Sequence, residues 1–234
     1  MTRVAIIIVA RDPRHAKTRL RPTLPPRYRA SLALAMLDDV VTAATQTDSA
    51  VLVVTDARSI AARVRKVGAR ATVAAARGTR DAAAHGLRLA ARNGADAALV
   101  IAADLPFATA ADLRRVIAAG RRAQIVIVPD SRRSGTNALF LRPPTRIAPQ
   151  FGRGSLAAHR RAAGPDGRVL RVARLGVDID TPADLRALAR SMARAGVQTR
   201  RALEAIASGA APSTRRGSPC PRTARSRSRP RLPR

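Results

Sequence analysis

The sequence predicts an α/β domain: a mostly parallel sheet covered by helices on both faces. Three observations carry that prediction. Short apolar, β-branched runs alternate with amphipathic stretches of helix length. The longest runs, residues 4–10 and 97–103, are apolar throughout rather than alternating, as strands buried on both faces are. A chain of 234 residues with 46 % hydrophobic side chains suffices for one sizeable core, built from Ala, Val, Leu and Ile because aromatics amount to 2 %.

Residues 3–10 form the first strand, which charge stops at Arg11 and Asp12. A loop containing Pro13, Pro22, Pro25 and Pro26 follows. Residues 27–46 carry Tyr28, Leu32, Met36 and Val40 at four-residue spacing, as a helix laid on a sheet would. The alternation continues with a strand at 50–54, a helix at 59–67 ending at Gly68, a weak strand at 71–75, a helix at 79–92 and a strong strand at 97–102. Thr109 caps a helix over 110–119, with Asp112 three residues on to complete a capping box. Further strands are expected at 125–128 and 138–141, a short helix at 156–163 and an edge strand at 168–172. Thr181 caps a last helix from Pro182 to about residue 195, with proline at its first position. Residues 1–208 thus make one domain. Residues 209–234, with eight arginines, five prolines and no acid, cannot bury enough apolar surface to fold and are expected to be a disordered tail.

Composition narrows the function. The net charge is +29, and only Lys17 and Lys66 among the cations are lysine. Such a charge favours polyanions, either nucleic acid or a phosphorylated small substrate; a GC-rich coding sequence produces the same arginine bias. No Trp and one Tyr argue against stacking platforms for single-stranded nucleic acid; the basic tail is the expected place for any nucleic-acid contact, and the rival reading of the charge is a basic nucleic-acid-binding protein on a degenerate enzyme fold. No apolar run approaches the ~18 residues of a membrane span, and the charges after residue 10 do not fit a signal peptide. One cysteine, Cys220, fits a reducing compartment, so a cytoplasmic protein is expected.

In doubly wound sheets ligands sit outside the carboxyl ends of the strands. After the first strand come Arg11, Arg14, His15, Lys17, Arg19 and Arg21, a cationic loop suited to a nucleoside triphosphate. That loop has no Gly-x-Gly or Walker pattern, so it is neither a Rossmann dinucleotide loop nor a P-loop. The strand at 97–102 runs into Ala103-Asp104-Leu105-Pro106, where Asp104 either ligates a hard cation or caps the turn. In Val177-Asp178-Ile179-Asp180-Thr181-Pro182 the two acids are two apart on an extended segment and point to one side. Asp180 either faces an ion with Asp178 or belongs to the helix entry. Ser134-Gly135-Thr136-Asn137 and Phe151-Gly152-Arg153-Gly154-Ser155 offer amides and hydroxyls to a small phosphorylated acid, or serve as turns and caps. His159, one helical turn after Ser155, is either part of that face or a plain surface histidine.

Five strings occur in order: Ala-Lys-Thr-Arg-Leu, Ala-Asp-Leu-Pro, Gly-Thr-Asn-Ala-Leu, Phe-Gly-x-Gly-Ser-x-x-x-His and Asp-Ile-Asp-Thr-Pro. Over residues 3–190 the chain resembles the 2-phospho-L-lactate or phosphoenolpyruvate guanylyltransferases of coenzyme F-420 synthesis, nucleotidyltransferases related to the molybdopterin guanylyltransferases. The resemblance implies a Rossmann-like three-layer α/β/α fold and transfer of GMP from GTP to the phosphate of a three-carbon acid, with Mg²⁺ or Mn²⁺ and release of pyrophosphate. By position it implies Asp104, Asp178 and Asp180 as metal ligands, Thr136, Gly152 and Ser155 against the acid, and Arg11, Lys17 and Arg19 at the nucleotide. Lys17, Arg19 and Asp104 would carry catalysis. A homodimer is compatible with it. The chain departs from the family at Arg11, where a lysine is usual, and at Gly78-Thr79-Arg80-Asp81, which bears on the preference for guanine.

Overall fold

The two strands with the longest apolar runs lie side by side inside the sheet. In the computed structural model, which describes residues 2–210, β1 (Val4–Ala10) pairs in parallel with β2 (Ala50–Thr55) on one side. On its other side lies β4 (Ala97–Ala102), also parallel. β3 (Arg70–Val73) adds outside β2. Beyond β4 the order is β6 (Thr136–Leu141), β5 (Ile125–Pro129) and β7 (Gly167–Val169), giving a seven-stranded sheet β3-β2-β1-β4-β6-β5-β7. β6 runs against both neighbours, and the other strands are mutually parallel.

Alternation along β1 sends Ile6, Ile8 and Ala10 into one core and Ala5, Ile7 and Val9 into the other. α1 (Pro26–Thr45), α2 (Arg58–Arg65) and α4 (Ala110–Ala119) close the first face through Leu37, Val41, Ile60, Val64 and Leu113. α3 (Thr79–Arg92) and α5 (Ser155–Ala163) close the second through Ala83, Leu87 and Leu156. A Cβ on Gly86 would lie 2.6 Å from Ile7 Cγ2, so glycine sets how closely α3 approaches the sheet. The capping boxes of Thr109 with Asp112 and of Thr181 with Asp184 both form.

Three expectations need correction. The stripe Tyr28, Leu32 and Met36 does not lie on the sheet; it packs outward in a third cluster with Leu185, Leu188, Ala202 and Leu203, leaving Leu37, Val40 and Val41 to face the strands. The partner helices explain this. α6 (Pro182–Arg190) stops well before residue 195, and a further helix, α7 (Val197–Ala207), follows and covers α1. α7 begins where Asp39 of α1 accepts from the backbone N–H groups of Gln198 at 3.0 Å and Thr199 at 2.8 Å, a cap supplied across the helix pair. Gly196 is required beside it, since a Cβ there would lie 2.2 Å from Asp39 Cγ. Asp39→Ala is therefore expected to cost ~1–2 kcal/mol, read as a drop of roughly 2–8 °C in the thermal midpoint, without loss of turnover. The edge strand is also shorter than expected, three residues, which limits edge-to-edge pairing. Apart from Gly209 and Ala210, the expected tail lies outside the described residues, as does Cys220.

Candidate active site

The loop after β1 is held by its own acid. Asp12 Oδ1 accepts from the backbone N–H of Arg14 at 2.9 Å, and its carboxylate also takes the Arg14 side chain. Arg14 holds the Asp12 carboxyl below the usual carboxylate range. The Asp12 N–H donates to Asp56 Oδ1 at 2.6 Å, tying the loop to the end of β2. Arg14 is thus committed to bracing. The chain then turns through Lys17, whose φ of 54° is left-handed, a conformation a lysine adopts at a cost and that tertiary contacts must hold.

Those contacts are carboxylates. The Lys17 ammonium, on a side chain only 7 % exposed, donates to Asp104 Oδ2 and, at 3.0 Å, to Asp180 Oδ1. Burial works against its charge, but Asp104 and Asp180 outweigh burial and raise the pKa. Arg19, 72 % exposed, reaches Asp180 Oδ2 at 3.8 Å and leaves most of its guanidinium to solvent. Asp104 is therefore engaged by a lysine and not spent on the Leu105-Pro106 turn. Asp180 is likewise no cap, since Thr181 and Asp184 cap α6 and leave its carboxylate to Lys17. Asp178 lies near enough to feel the charges of this group. Burial raises its pKa, and the charges of Asp104 and Asp180 raise it further, while Asn137 Nδ2 donates to its Oδ1 at 3.3 Å. Asn137 also donates to the Leu175 carbonyl at 3.0 Å, which fixes the amide against that segment.

A cavity of about 520 Å³ opens beside this cluster, with Arg11, His15, Lys17, Arg19, Asp104 and Asp180 on its wall. Thr79, at the start of α3, lies on the same wall, so the departure at residues 78–81 borders the cavity. That size suits a nucleotide. Thr136, Gly152 and Ser155 are not on this wall; they form a second arm. Ala138 pairs with Ile101, so Thr136 and Asn137 sit where β4 runs out toward Asp104. The two glycine-rich segments meet there, the Leu156 N–H donating to the Ser134 carbonyl at 3.3 Å. Gly152 and Gly154 have φ of 130° and 71°, which side chains rarely adopt, and they turn the chain into the start of α5 at buried Ser155.

His159 is not the surface residue that was the simpler expectation. It is fully buried, 0 % exposed, with Nδ1 2.9 Å from Thr136 Oγ1 and Nε2 accepting from the Gln150 N–H at 2.7 Å. The structure thus brings Asp104 and Asp180 onto the Lys17 ammonium and Arg19 onto Asp180, with Asp178 near enough to feel both carboxylates, Arg11 on the cavity wall, and Thr136, Gly152 and Ser155 on the neighbouring arm. Sequence reasoning missed Asp12 and Asp56, and it did not foresee that the Asn137 side chain holds Asp178 and the Leu175 carbonyl. Asp12 was open to detection, because an Asp two residues before an Arg in a proline loop signals a side-chain-stabilised turn.

Against known proteins, residues 4–215 match the family described as guanylyl transferase CofC like. The chain is 42 % identical over 195 residues to a phosphoenolpyruvate guanylyltransferase of Sphaerobacter thermophilus, covering 81 % of this chain and 93 % of that protein. It is 32 % identical over 192 residues to a 3-phospho-D-glycerate guanylyltransferase of Colwellia psychrerythraea, covering 80 % and 91 %. Its fold matches a structure described as a nucleotide-diphospho-sugar transferase from Desulfovibrio desulfuricans, with a TM-score of 0.70 at 17 % identity over 88 % of this chain and 96 % of that one. A seven-stranded sheet of this topology, the clustered acids at its carboxyl edge and a match over nearly the whole described chain agree: the chain belongs to the guanylyl transferase CofC-like family of nucleotidyltransferases.

Proposed function

We propose that this chain moves GMP from GTP to the phosphate of phosphoenolpyruvate and releases pyrophosphate. The observation that carries the proposal is a buried lysine held between Asp104 and Asp180, with Asp178 close by, on the wall of a nucleotide-sized cavity past the end of β4. Phosphoenolpyruvate is chosen over 3-phosphoglycerate because the relative at 42 % identity is named for it, against 32 % for the other.

The donor set suits Mg²⁺ or Mn²⁺. Hard carboxylate oxygens are their usual protein ligands, and Asp178 is destabilised as an anion by burial and then by Asp104 and Asp180, a repulsion that a cation relieves. Among the described residues no three such side chains already surround a common point, and Lys17 supplies the positive charge there. Asp104, Asp178 and Asp180 would hold the ion, which when bound neutralises charge on the phosphates of the nucleotide.

Lys17, Arg19 and Arg11 face the cavity and would hold the triphosphate, with Lys17 placed to stabilise charge growing at the α-phosphate. Thr136, Gly152 and Ser155 would seat the acid so that its phosphate oxygen lies in line with the α-phosphorus, and orientation supplies much of the rate. That oxygen is ionised at neutral pH, so no general base is required. The bond formed joins it to the α-phosphorus; the bond broken releases the β- and γ-phosphates together.

The test is pyrophosphate release from each of the four nucleoside triphosphates with phosphoenolpyruvate, 2-phospho-L-lactate and 3-phosphoglycerate. Release with GTP and phosphoenolpyruvate at least tenfold above every other pair is expected. Equal release from other nucleotides would remove the guanine preference, and faster release with another acid would replace the acceptor. A chain ending at Ser208 is expected to keep its turnover, because every assigned residue lies between Arg11 and Asp180. A large loss on that truncation would give the tail a part in binding substrate.

A further inference from the structure

We infer that His159 is a positioning residue for the acceptor acid: through its hydrogen bond to Thr136 it forces the threonine hydroxyl to donate toward the anion. The inference rests on the proposed assignment of Thr136 to the acceptor. A neutral imidazole carries one proton, and which nitrogen holds it follows from the partner of the other. Here Nε2 accepts from the Gln150 N–H at 2.7 Å, a donor that cannot change role. The proton is therefore on Nδ1, which donates to Thr136 Oγ1 at 2.9 Å.

This settles what Thr136 can do. Its oxygen already accepts from the ring, so its own hydrogen cannot also point there and must be aimed elsewhere. Thr136 makes no other side-chain hydrogen bond among the described residues, and it opens β6 at the level where β4 runs out toward Asp104. A hydroxyl with a free hydrogen is a donor for a carboxylate or phosphate. With the opposite tautomer the threonine would spend its hydrogen on Nδ1 and present lone pairs to an anion.

The surroundings keep the ring in this state. Phe151 meets it edge-on, with centroids 5.1 Å apart and planes at 73°, which fixes the ring plane. Burial, and then the charge of Arg80, lower the His159 pKa to about 4, so the imidazole is neutral at working pH.

Two substitutions separate the two bonds of the ring. His159→Gln puts an amide near Nε2, able to accept from Gln150, but loses the donor to Thr136. His159→Asn puts an amide N–H near Nδ1, keeping that donor, but leaves the Gln150 N–H without an acceptor. Michaelis constants are measured for GTP and phosphoenolpyruvate, with Thr136→Val alongside. His159→Gln and Thr136→Val are expected to raise the phosphoenolpyruvate constant about 10- to 100-fold, the loss of one hydrogen bond to a charged group. The GTP constant should stay within about twofold, and His159→Asn should restore most of the phosphoenolpyruvate constant, since its donor remains. A merely structural histidine would move both constants together and show no rescue by Asn.

If Thr136→Val raises the phosphoenolpyruvate constant and His159→Gln does not, the inference is overturned while the acceptor assignment stands. If Thr136→Val leaves that constant unchanged, the assignment falls and the inference with it. The wild-type protein gives an independent reading should the variants fail to fold. Nitrogen-15 NMR of its histidines is expected to show a buried ring protonated at Nδ1, and a ring protonated at Nε2 would overturn the inference.

Discussion

Asp104→Asn is expected to reduce GMP transfer by three orders of magnitude or more, an effect of at least about 4 kcal/mol on the barrier. The carboxylate stands immediately past β4, and its Oδ2 takes the Lys17 ammonium. Asparagine keeps the shape and removes the charge that pairs with Lys17 and that the proposed metal would need. The structure adds a second consequence. Lys17 is buried with two carboxylate partners, and halving its counter-charge is expected to lower the thermal midpoint, because a buried ion that loses a partner is costly. The check is turnover and thermal midpoint measured together across a Mg²⁺ titration. Full turnover with an unchanged Mg²⁺ requirement would remove Asp104 from the reaction.

Lys17→Met carries the next largest effect. Methionine keeps the length of the stem and leaves Asp104, Asp178 and Asp180 facing one another without the ammonium. Loss of a donor aimed at developing charge typically costs about 10²–10³ in kcat, and a loss of that size is expected here at saturating GTP and phosphoenolpyruvate. Lys17→Arg should not rescue it. The site holds Nζ between two oxygens on a side chain only 7 % exposed, and a planar guanidinium has neither the same reach nor the same shape. A Lys17→Met protein within threefold of wild-type kcat would show that the ammonium is only a counter-ion for the acids.

The acids at the strand ends were legible because the argument for them is topological. A buried parallel strand must run out into a loop on the side where ligands bind, so the sequence alone places Asp104, after residues 97–102, at that edge. The two-residue period of an extended segment puts Asp178 and Asp180 on one side; in the structure Asp180 takes Lys17 while Asp178 takes Asn137. What the sequence could not supply was pairing across distance. Lys17 was read against phosphates, yet in the structure its ammonium lies on two carboxylates 87 and 163 residues away. His159 stands beside Arg160 and Arg161 in the chain and so resembles a solvated face; its burial depends on Thr136 and Gln150, which the fold brings to it.

α7 was missed for the same kind of reason. Its cap is Asp39, on another helix, and its buried residues Ala202 and Leu203 stand among arginines, so neither a start signal nor a clear apolar stripe is visible locally. That omission also misdirected α1. Without a helix to cover them, Tyr28, Leu32 and Met36 had only the sheet to face. The large positive charge, by contrast, was the feature most open to misreading. Arg14, Arg63 and Arg132 are paired with acids, whereas the charge that organises the site is a single lysine.

In the proposed reaction the acceptor's phosphate oxygen attacks the α-phosphorus of GTP beside Lys17 and Asp104. The most direct measurement is the fate of ¹⁸O carried in the phosphate of phosphoenolpyruvate, followed by mass spectrometry of the products in ordinary water. Guanylylated phosphoenolpyruvate that retains all the label, one labelled oxygen now bridging the two phosphorus atoms, together with unlabelled pyrophosphate, is the predicted result. Label in pyrophosphate, or GMP released with oxygen from water while phosphoenolpyruvate is returned unchanged, would contradict it.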